Sequence, residues 1–163
     1  MNVVVLAAGK GKRMHSSLPK VLQALAGRPL LDHVLDATAG LADHPRVVVI
    51  RHAADIVRKH YEGRTDIVFA FQQEQLGTGH ALMQALAAIN PEDPLTLVCL
   101  GDVPLLSQKT LMAMAEAGAD GSLVLLTVEL SDPTGYGRIV RNASGAVASI
   151  VEEKDASSEE KRI

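Results

Sequence analysis

The sequence is poor in cysteine and in aromatic residues. Its single cysteine, Cys99, excludes an internal disulfide, and its position inside the apolar run 95–100 favours a buried structural thiol over a nucleophile. Tryptophan is absent, and two tyrosines and two phenylalanines make up the whole aromatic content. The core must therefore be built from valine, leucine, isoleucine and alanine, which is typical of a parallel sheet covered by helices.

A cationic excess and long apolar runs are missing as well. The formal net charge is −3, and no basic stripe carries interleaved aromatics, so nucleic acid is not expected as a partner. No apolar run approaches the roughly 18 residues that a membrane span requires. No signal peptide is evident at the N-terminus. These features predict a cytoplasmic protein without membrane insertion.

Strand-like and helix-like segments alternate along the 163 residues, a length that fits one domain. Buried strands are predicted at 3–8, 46–51, 66–71, 95–100 and 122–128. Helices are predicted between them, from Pro29 to near Gly40, over 53–60, along an apolar stripe over 81–89, and after an N-cap at Ser107. This alternation predicts an α/β protein with a doubly wound, mostly parallel sheet.

The pattern changes after the last predicted strand. The sequence Asp132-Pro-Thr-Gly135 is typical of a turn, and 137–141 and 146–151 are predicted to form a late β-hairpin insertion. The remaining residues, 152–163, are highly charged and have no apolar stripe. We therefore expect the chain to stop within a longer domain.

The loop after the first strand is a candidate site for polyphosphate. Its two glycines, Gly9 and Gly11, allow backbone N–H groups to approach a ligand closely. Four nearby cations would offset phosphate charge: Lys10, Lys12, Arg13 and Lys20. The alternative is an ordinary turn with solvated lysines. A dinucleotide fingerprint is excluded because Met14 stands where a third glycine is needed, and the glycine spacing of a P-loop is also missing.

Polar sequences also follow the third and fourth predicted strands. The Gln72 side chain and the Gly77–Thr78 backbone match the edge of a base, while Thr78 is also a candidate helix N-cap. His80 has no second histidine or cysteine nearby, which favours a structural role over catalysis. Asp102 is a candidate Mg²⁺ ligand, with a simple turn residue as the alternative. Because ligands bind beyond the carboxyl ends of strands in open α/β sheets, these segments are expected to meet at one edge.

Together these segments resemble the sugar-nucleotidyltransferase family. The family signature is Leu6-Ala-Ala-Gly-x-Gly-x-Arg13-Met with Pro19-Lys20. A finer resemblance, to the bacterial bifunctional uridylyltransferases/acetyltransferases that make UDP-N-acetylglucosamine, lies in four segments: Gln75-Leu-Gly-Thr-Gly-His80-Ala, Gly101-Asp-Val-Pro-Leu105, Asp132-Pro-Thr-Gly-Tyr-Gly-Arg138-Ile and Ile150-Val-Glu-Glu-Lys-Asp155. One departure is Lys12, which stands where the family has a small hydroxyl residue.

The resemblance implies a Rossmann-like nucleotidyltransferase fold and Mg²⁺ as cofactor. The implied reaction transfers a uridylyl group from UTP to N-acetylglucosamine 1-phosphate, releasing pyrophosphate, for bacterial cell-wall precursors (peptidoglycan and lipopolysaccharide). Arg13 and Lys20 would hold the phosphates and act in catalysis, Asp102 would bind Mg²⁺, and Gly137 and Glu152 would contact the amino sugar. The implied nucleotide contacts are Leu6, Ala7, Ala8, Gly9, Lys20, Gln72, Gly77, Thr78, Leu100, Gly101 and Asp102.

The resemblance also implies what lies outside this sequence. Family members continue to an asparagine that completes the Mg²⁺ site. A left-handed β-helix follows that acetylates glucosamine 1-phosphate with acetyl-CoA and forms homotrimers. Residues 1–163 are therefore expected to be the N-terminal portion of a uridylyltransferase domain. Two alternatives stay open: a nucleotidyltransferase for another sugar phosphate, and a truncated fragment that binds uridine nucleotide with impaired turnover.

Overall fold

The computed structural model describes residues 1–11, 14 and 16–163. They form two compact units, Met1–Leu125 and Leu126–Ile163. The strands are β1 (Asn2–Leu6), β2 (Ala24–Leu25), β3 (Arg28–Pro29), β4 (Arg46–Ile50), β5 (Ile67–Phe71), β6 (Thr96–Leu100), β7 (Arg138–Arg141) and β8 (Val147–Val151). The helices are α1 (Leu30–Ala37), α2 (Ala54–His60), α3 (Thr78–Ala85) and α4 (Gln108–Ala117), with 3₁₀ turns at Lys20–Leu22 and Glu160–Arg162.

A parallel four-stranded sheet forms the centre of the first unit. Its strand order is β5-β4-β1-β6, and β1 pairs in parallel with both β4 and β6. Val5 lies opposite Val48 on one side and Cys99 on the other. The apolar runs of β1 and β4 thus become central strands of the kind that need cover on both faces, while β5 and β6 form the two edges of the described sheet.

Helices cover both faces of this sheet. Val3 and Val5 point to one face, where they belong to a buried cluster with Leu31 and Leu35 of α1 and with residues of α2 and α4. Val4 points to the other face and belongs to a cluster with Ala81 and Ala85 of α3. The predicted doubly wound α/β architecture is therefore confirmed.

The predicted strand at 122–128 is wrong. The segment has no regular secondary structure, and its Leu123 and Val128 are 89% and 67% exposed. An apolar run becomes a strand only when a neighbour completes its backbone hydrogen bonds and a second layer covers its side chains. No strand in the described ranges pairs with this segment.

Helix α1 departs from the sequence prediction at its start, whereas α4 begins as predicted. Helix α1 begins at Leu30, and Pro29 occupies the N-cap position while pairing with Ala24 in the β2–β3 hairpin. Ser107 caps α4 as predicted, since its Oγ accepts a hydrogen bond from Thr110 N at 3.1 Å.

The second unit contains the predicted hairpin. Strands β7 and β8 pair antiparallel, and the Asn142 side chain holds the connecting turn by accepting from Ser144 N and Ala146 N, each at 3.0 Å. Across the described residues, every helix is too short or too polar to reach from one side of a bilayer to the other.

Candidate functional site

A pocket of about 290 Å³ opens at the carboxyl edge of the sheet in the first unit. It lies where β1 and β6 end side by side, at the point where the strand order reverses its direction. Open α/β sheets bind ligands at this switch point. The lining residues are Leu6, Ala7, Ala8, Gly9, Lys20, Val21, Gln72, Gln75, Gly77, Thr78, Ala81, Leu100 and Asp102.

The backbone that leaves β1 is held from both sides. Ala7 N donates to Val49 O at 2.8 Å, and Gly101 N donates to Leu6 O at 2.9 Å. A Cβ at Gly9 would meet no atom of the described residues within 4 Å, so this stretch of small residues leaves room among them for a ligand beside the main chain.

Gly101 is needed for close packing. A Cβ there would lie 3.3 Å from Ala7 Cβ, from Leu6 O and from Val21 Cγ1, which is tight on three sides. The glycine therefore lets the end of β6 approach the end of β1. Gly101, which the resemblance implied as a nucleotide contact, is not among the residues that line the pocket.

Lys20 and Asp102 form an ion pair on the pocket lining, between Nζ and Oδ2. Their side chains are 35% and 29% exposed, so both groups stay open to a ligand. Gly11 has φ +59°, and a Cβ there would lie only 2.8 Å from Lys20 Cβ. This glycine lets the loop pass against the lysine.

The carboxylate of Asp102 suits a hard divalent cation. Magnesium takes oxygen ligands and commonly uses one or two protein carboxylates together with phosphate oxygens and water. Asp102 offers such oxygens beside the partly exposed ammonium group of Lys20. The Asp102 carboxylate therefore fits a divalent ion, for which a bound polyphosphate would supply further oxygen ligands.

Gln72 also lines the pocket and lies directly after β5. It is 2% exposed, and its backbone N donates to Ile50 O at 2.9 Å. Its side-chain Nε2 donates to Gly77 O at 3.1 Å. Gly77, with φ +96°, is the N-cap of α3 and makes no side-chain capping bond, so Thr78 is the first helical residue and not the cap.

The structure brings most of the sequence-predicted site residues of the first unit into this pocket, while their roles toward a ligand stay predictions. Arg13 lies outside the described residues. Val21, Gln75 and Ala81 also line the pocket, and the sequence analysis assigned no binding role to any of them. Ala81 was detectable by its helical spacing from Thr78, and Gln75 by its place between two assigned residues.

Cys99 is a structural thiol. It is 3% exposed within the core cluster of the first unit, and burial raises its pKa to about 11. The thiol is therefore protonated at neutral pH, as expected of a buried cysteine without an activating partner.

Gly137 and Glu152 lie close together in the second unit. A Cβ at Gly137 would lie 3.8 Å from Glu152 Oε2. Between them in the hairpin, the buried Arg138 donates to Tyr136 O and pairs with Glu153 Oε2 at 2.8 Å. The ion pair joins the two residues that directly follow the predicted sugar contacts.

The fold and the pocket define the class of the protein, which is that of the nucleotidyltransferases. Residues 3–158 match the model of the MobA-like NTP transferase domain, and the chain belongs to that family. It is similar, at 56% identity over all 163 residues, to the N-terminal part of the bifunctional protein GlmU of Burkholderia mallei (strain SAVP1). The chain spans 36% of the length of that relative. The resemblance seen in the sequence is thereby confirmed.

Two solved structures show the same fold. HddC from Yersinia pseudotuberculosis aligns with a TM-score of 0.64 at 22% identity, covering 93% of this chain and 69% of that one. Rv0371c from Mycobacterium tuberculosis H37Rv, in complex with manganese, aligns with a TM-score of 0.57 at 26% identity, covering 73% and 59%.

Proposed function

We propose that the chain transfers a uridylyl group from UTP to N-acetylglucosamine 1-phosphate and releases pyrophosphate. The observation that carries the proposal is the composition of one pocket. A backbone wall of small residues (6–9), the Lys20–Asp102 pair and the buried amide of Gln72 line it together. The backbone wall suits a ribose and phosphates, and the ion pair suits phosphate charge together with a divalent ion. The Gln72 amide suits the edge of a base.

The reaction depends on positioning and charge. A phosphate oxygen of the sugar phosphate attacks the α-phosphorus of UTP, a new P–O bond forms, and the bond to the β-phosphate oxygen breaks. The attacking oxygen is already an anion, so no general base is needed. Lys20 offsets charge as the two anions meet, and the backbone of 6–9 holds the nucleotide in line. Arg13 is proposed as a second cation in this role.

Asp102 is the residue that would hold the divalent ion. Rv0371c, one of the similar proteins, has been solved in complex with manganese, and Mg²⁺ is our proposal for this chain. When bound, such an ion supplies charge neutralisation across phosphate oxygens. Lys20 would then leave the carboxylate and pair with phosphate.

The second unit is proposed to contact the amino sugar through Gly137 and Glu152. Their close approach across the hairpin supports this assignment, because one sugar can contact both. We also propose that the chain is part of a longer bifunctional protein. Its remaining length would acetylate glucosamine 1-phosphate and form homotrimers, and the product would enter bacterial cell-wall synthesis.

A pyrophosphate-release assay tests the proposal. The 163-residue chain is mixed with Mg²⁺, N-acetylglucosamine 1-phosphate and UTP, and parallel reactions replace UTP by CTP, dTTP or GTP, or the sugar by glucose 1-phosphate. Release that is fastest with UTP and N-acetylglucosamine 1-phosphate supports the proposal. A preference for another base or sugar contradicts it, and UTP binding without release favours the alternative of a binding fragment.

A further inference from the structure

The loop between β5 and α3, residues 72–77, contributes three residues to the pocket lining: Gln72, Gln75 and Gly77. The two ends of the loop are joined, because Gln72 Nε2 donates to Gly77 O at 3.1 Å. The same nitrogen lies 3.1 Å from Nδ1 of His80. The loop is thus closed by the side chain of its first residue, and Gln75 lies inside the closed segment.

Gln75 lies at a sharp bend of this loop. Leu76 N donates to Glu74 O at 3.1 Å, so Gln75 is the central residue of a γ-turn. Gln75 is exposed, and among the described residues its side-chain amide has no hydrogen-bond partner. Its donor and acceptor are therefore available to a ligand in the pocket that it lines.

The charges around the pocket favour a base over the phosphates as the ligand of this loop. Lys20 provides positive charge on the lining and pairs there with Asp102. Residues 72–77 include one charged residue, the acid Glu74, which would repel a triphosphate. A neutral amide in such a loop suits an uncharged group that carries hydrogen-bonding atoms.

Gln72 satisfies only part of what a pyrimidine base presents. Gly77 O holds the nitrogen of its amide, which leaves Oε1 to accept from a donor such as the N3–H of uracil. The carbonyl oxygens of uracil need donors, and the amide of Gln75 has two N–H hydrogens. We infer that Gln75 is a further binding residue, whose side-chain nitrogen donates to a carbonyl oxygen of the base. The inference rests on the proposed uridylyl transfer.

The same substitution at two positions of one loop tests the inference. Gln75→Met removes the amide and keeps the length of the side chain. Gln73→Met makes the same change at an exposed residue that is not among those lining the pocket. Calorimetric titration of the full chain with Mg²⁺ gives the Kd of UTP and of ribose 5-triphosphate, which lacks the base. Thermal unfolding of each variant monitors folding.

The expected result is a loss of affinity that needs both Gln75 and the base. The Kd of UTP should rise about fivefold in Gln75→Met, the size expected for one lost hydrogen bond. The Kd of ribose 5-triphosphate should stay at the parent value in that variant. Gln73→Met should match the parent with both ligands.

An unchanged Kd of UTP in Gln75→Met, when the parent binds UTP, overturns the inference and leaves the proposed function intact. An equal rise with ribose 5-triphosphate overturns the assignment to the base. An equal rise in Gln73→Met overturns the inference as well, because the effect then belongs to the loop. A parent chain that binds no UTP overturns both the inference and the proposed function. If Gln75→Met does not fold, Gln75→Ala removes the same amide and is judged by the same Kd.

Discussion

At the scale of single residues, the main charged feature of the pocket lining is the ion pair between Lys20 and Asp102. Lys20 and Asp102 neutralise each other while both stay partly exposed. An exposed pair of this kind contributes little to stability, which leaves its two members available to a ligand. A triphosphate with a divalent ion offers a better partner to each, since phosphate attracts the ammonium group and the cation attracts the carboxylate.

Replacing Lys20 should therefore weaken nucleotide binding more than folding. In Lys20→Met we expect the Kd for UTP with Mg²⁺ to rise on the order of tenfold, because a charged hydrogen-bond donor to phosphate is lost. The matched control is Lys109→Met on the exposed surface of α4, which should leave the Kd unchanged. Equal UTP affinity in the Lys20 variant and the parent, measured by titration calorimetry, would contradict the role of Lys20.

Some residues of the site could be predicted from the sequence, whereas one contact between them could not. Lys20 and Asp102 were predictable because each follows an apolar run or a glycine-rich loop at the same sheet edge. The contact between His80 and Gln72 was not predictable. It joins residues eight positions apart, and it exists because the left-handed Gly77 turns the chain back into α3. Motif spacing carries no information on that turn.

At the scale of elements, two glycines have different roles. One allows two strand ends to pack closely, and the other is proposed to leave space for the nucleotide. Gly101 lies where the ends of β1 and β6 approach each other, and a Cβ would be tight against three neighbours. Gly9 lies just after β1, and within the part of the chain that the structure describes a Cβ there would meet no atom within 4 Å. The same substitution is thus expected to have different effects at the two positions.

Gly101→Ala should lower the free energy of unfolding by about 2 kcal/mol, the usual cost of overpacking a tight site. Gly9→Ala should leave that free energy nearly unchanged but raise the Kd for UTP, because its Cβ would enter the space proposed for the nucleotide. Urea unfolding and UTP titration of both variants check the two halves. An unchanged free energy of unfolding in Gly101→Ala would refute the packing role of Gly101. An unchanged Kd for UTP in Gly9→Ala would refute the binding role of Gly9.

The connection between β4 and β5 should make stability depend on pH. Hydrogen bonding from Arg64, helped by the charge of Arg46, lowers the pKa of Asp66 from its ordinary value of 3.8 to about 2. A carboxyl with a lowered folded-state pKa stabilises the fold above pH 3.8. That stabilisation is lost as the pH falls from about 4 to about 2.

Thermal unfolding of Asp66→Asn across this range checks the effect. The variant should be less stable than the parent at pH 6, and the difference should shrink as the pH approaches 2. Glu62→Gln, an exposed acid outside the cluster, should follow the parent curve. A constant difference between Asp66→Asn and the parent would disprove the linkage.

Within the hairpin of the second unit, Arg138 should support sugar binding without touching the sugar. Arg138→Met removes the bond to Tyr136 O and the pair with Glu153, so Gly137 and Glu152 lose their fixed spacing. We expect the KM for N-acetylglucosamine 1-phosphate to rise about tenfold with the KM for UTP unchanged. Arg141→Met, which removes a bond to Gly145 O on the same hairpin, is the control. An unchanged sugar-phosphate KM in Arg138→Met would contradict this role.

At the scale of the whole molecule, two units contain different parts of the proposed chemistry. The first contains the pocket at the switch point, and the second contains the predicted sugar contacts. The parallel strands were predictable because they are continuous apolar runs bounded by turns. The failure at 122–128 has a physical cause, since strand formation depends on a distant partner that composition does not reveal.

The central claim is that the pocket at the ends of β1 and β6 binds UTP. The most direct measurement is a two-dimensional NMR titration of the isotope-labelled chain with UTP and Mg²⁺. If the pocket binds UTP, saturable shifts should concentrate at the amides of Leu6 to Gly9, Gly77, Thr78 and Asp102. Shifts concentrated at the opposite edge of the sheet, around His44 and Arg46, or no shifts at saturating UTP, would contradict it.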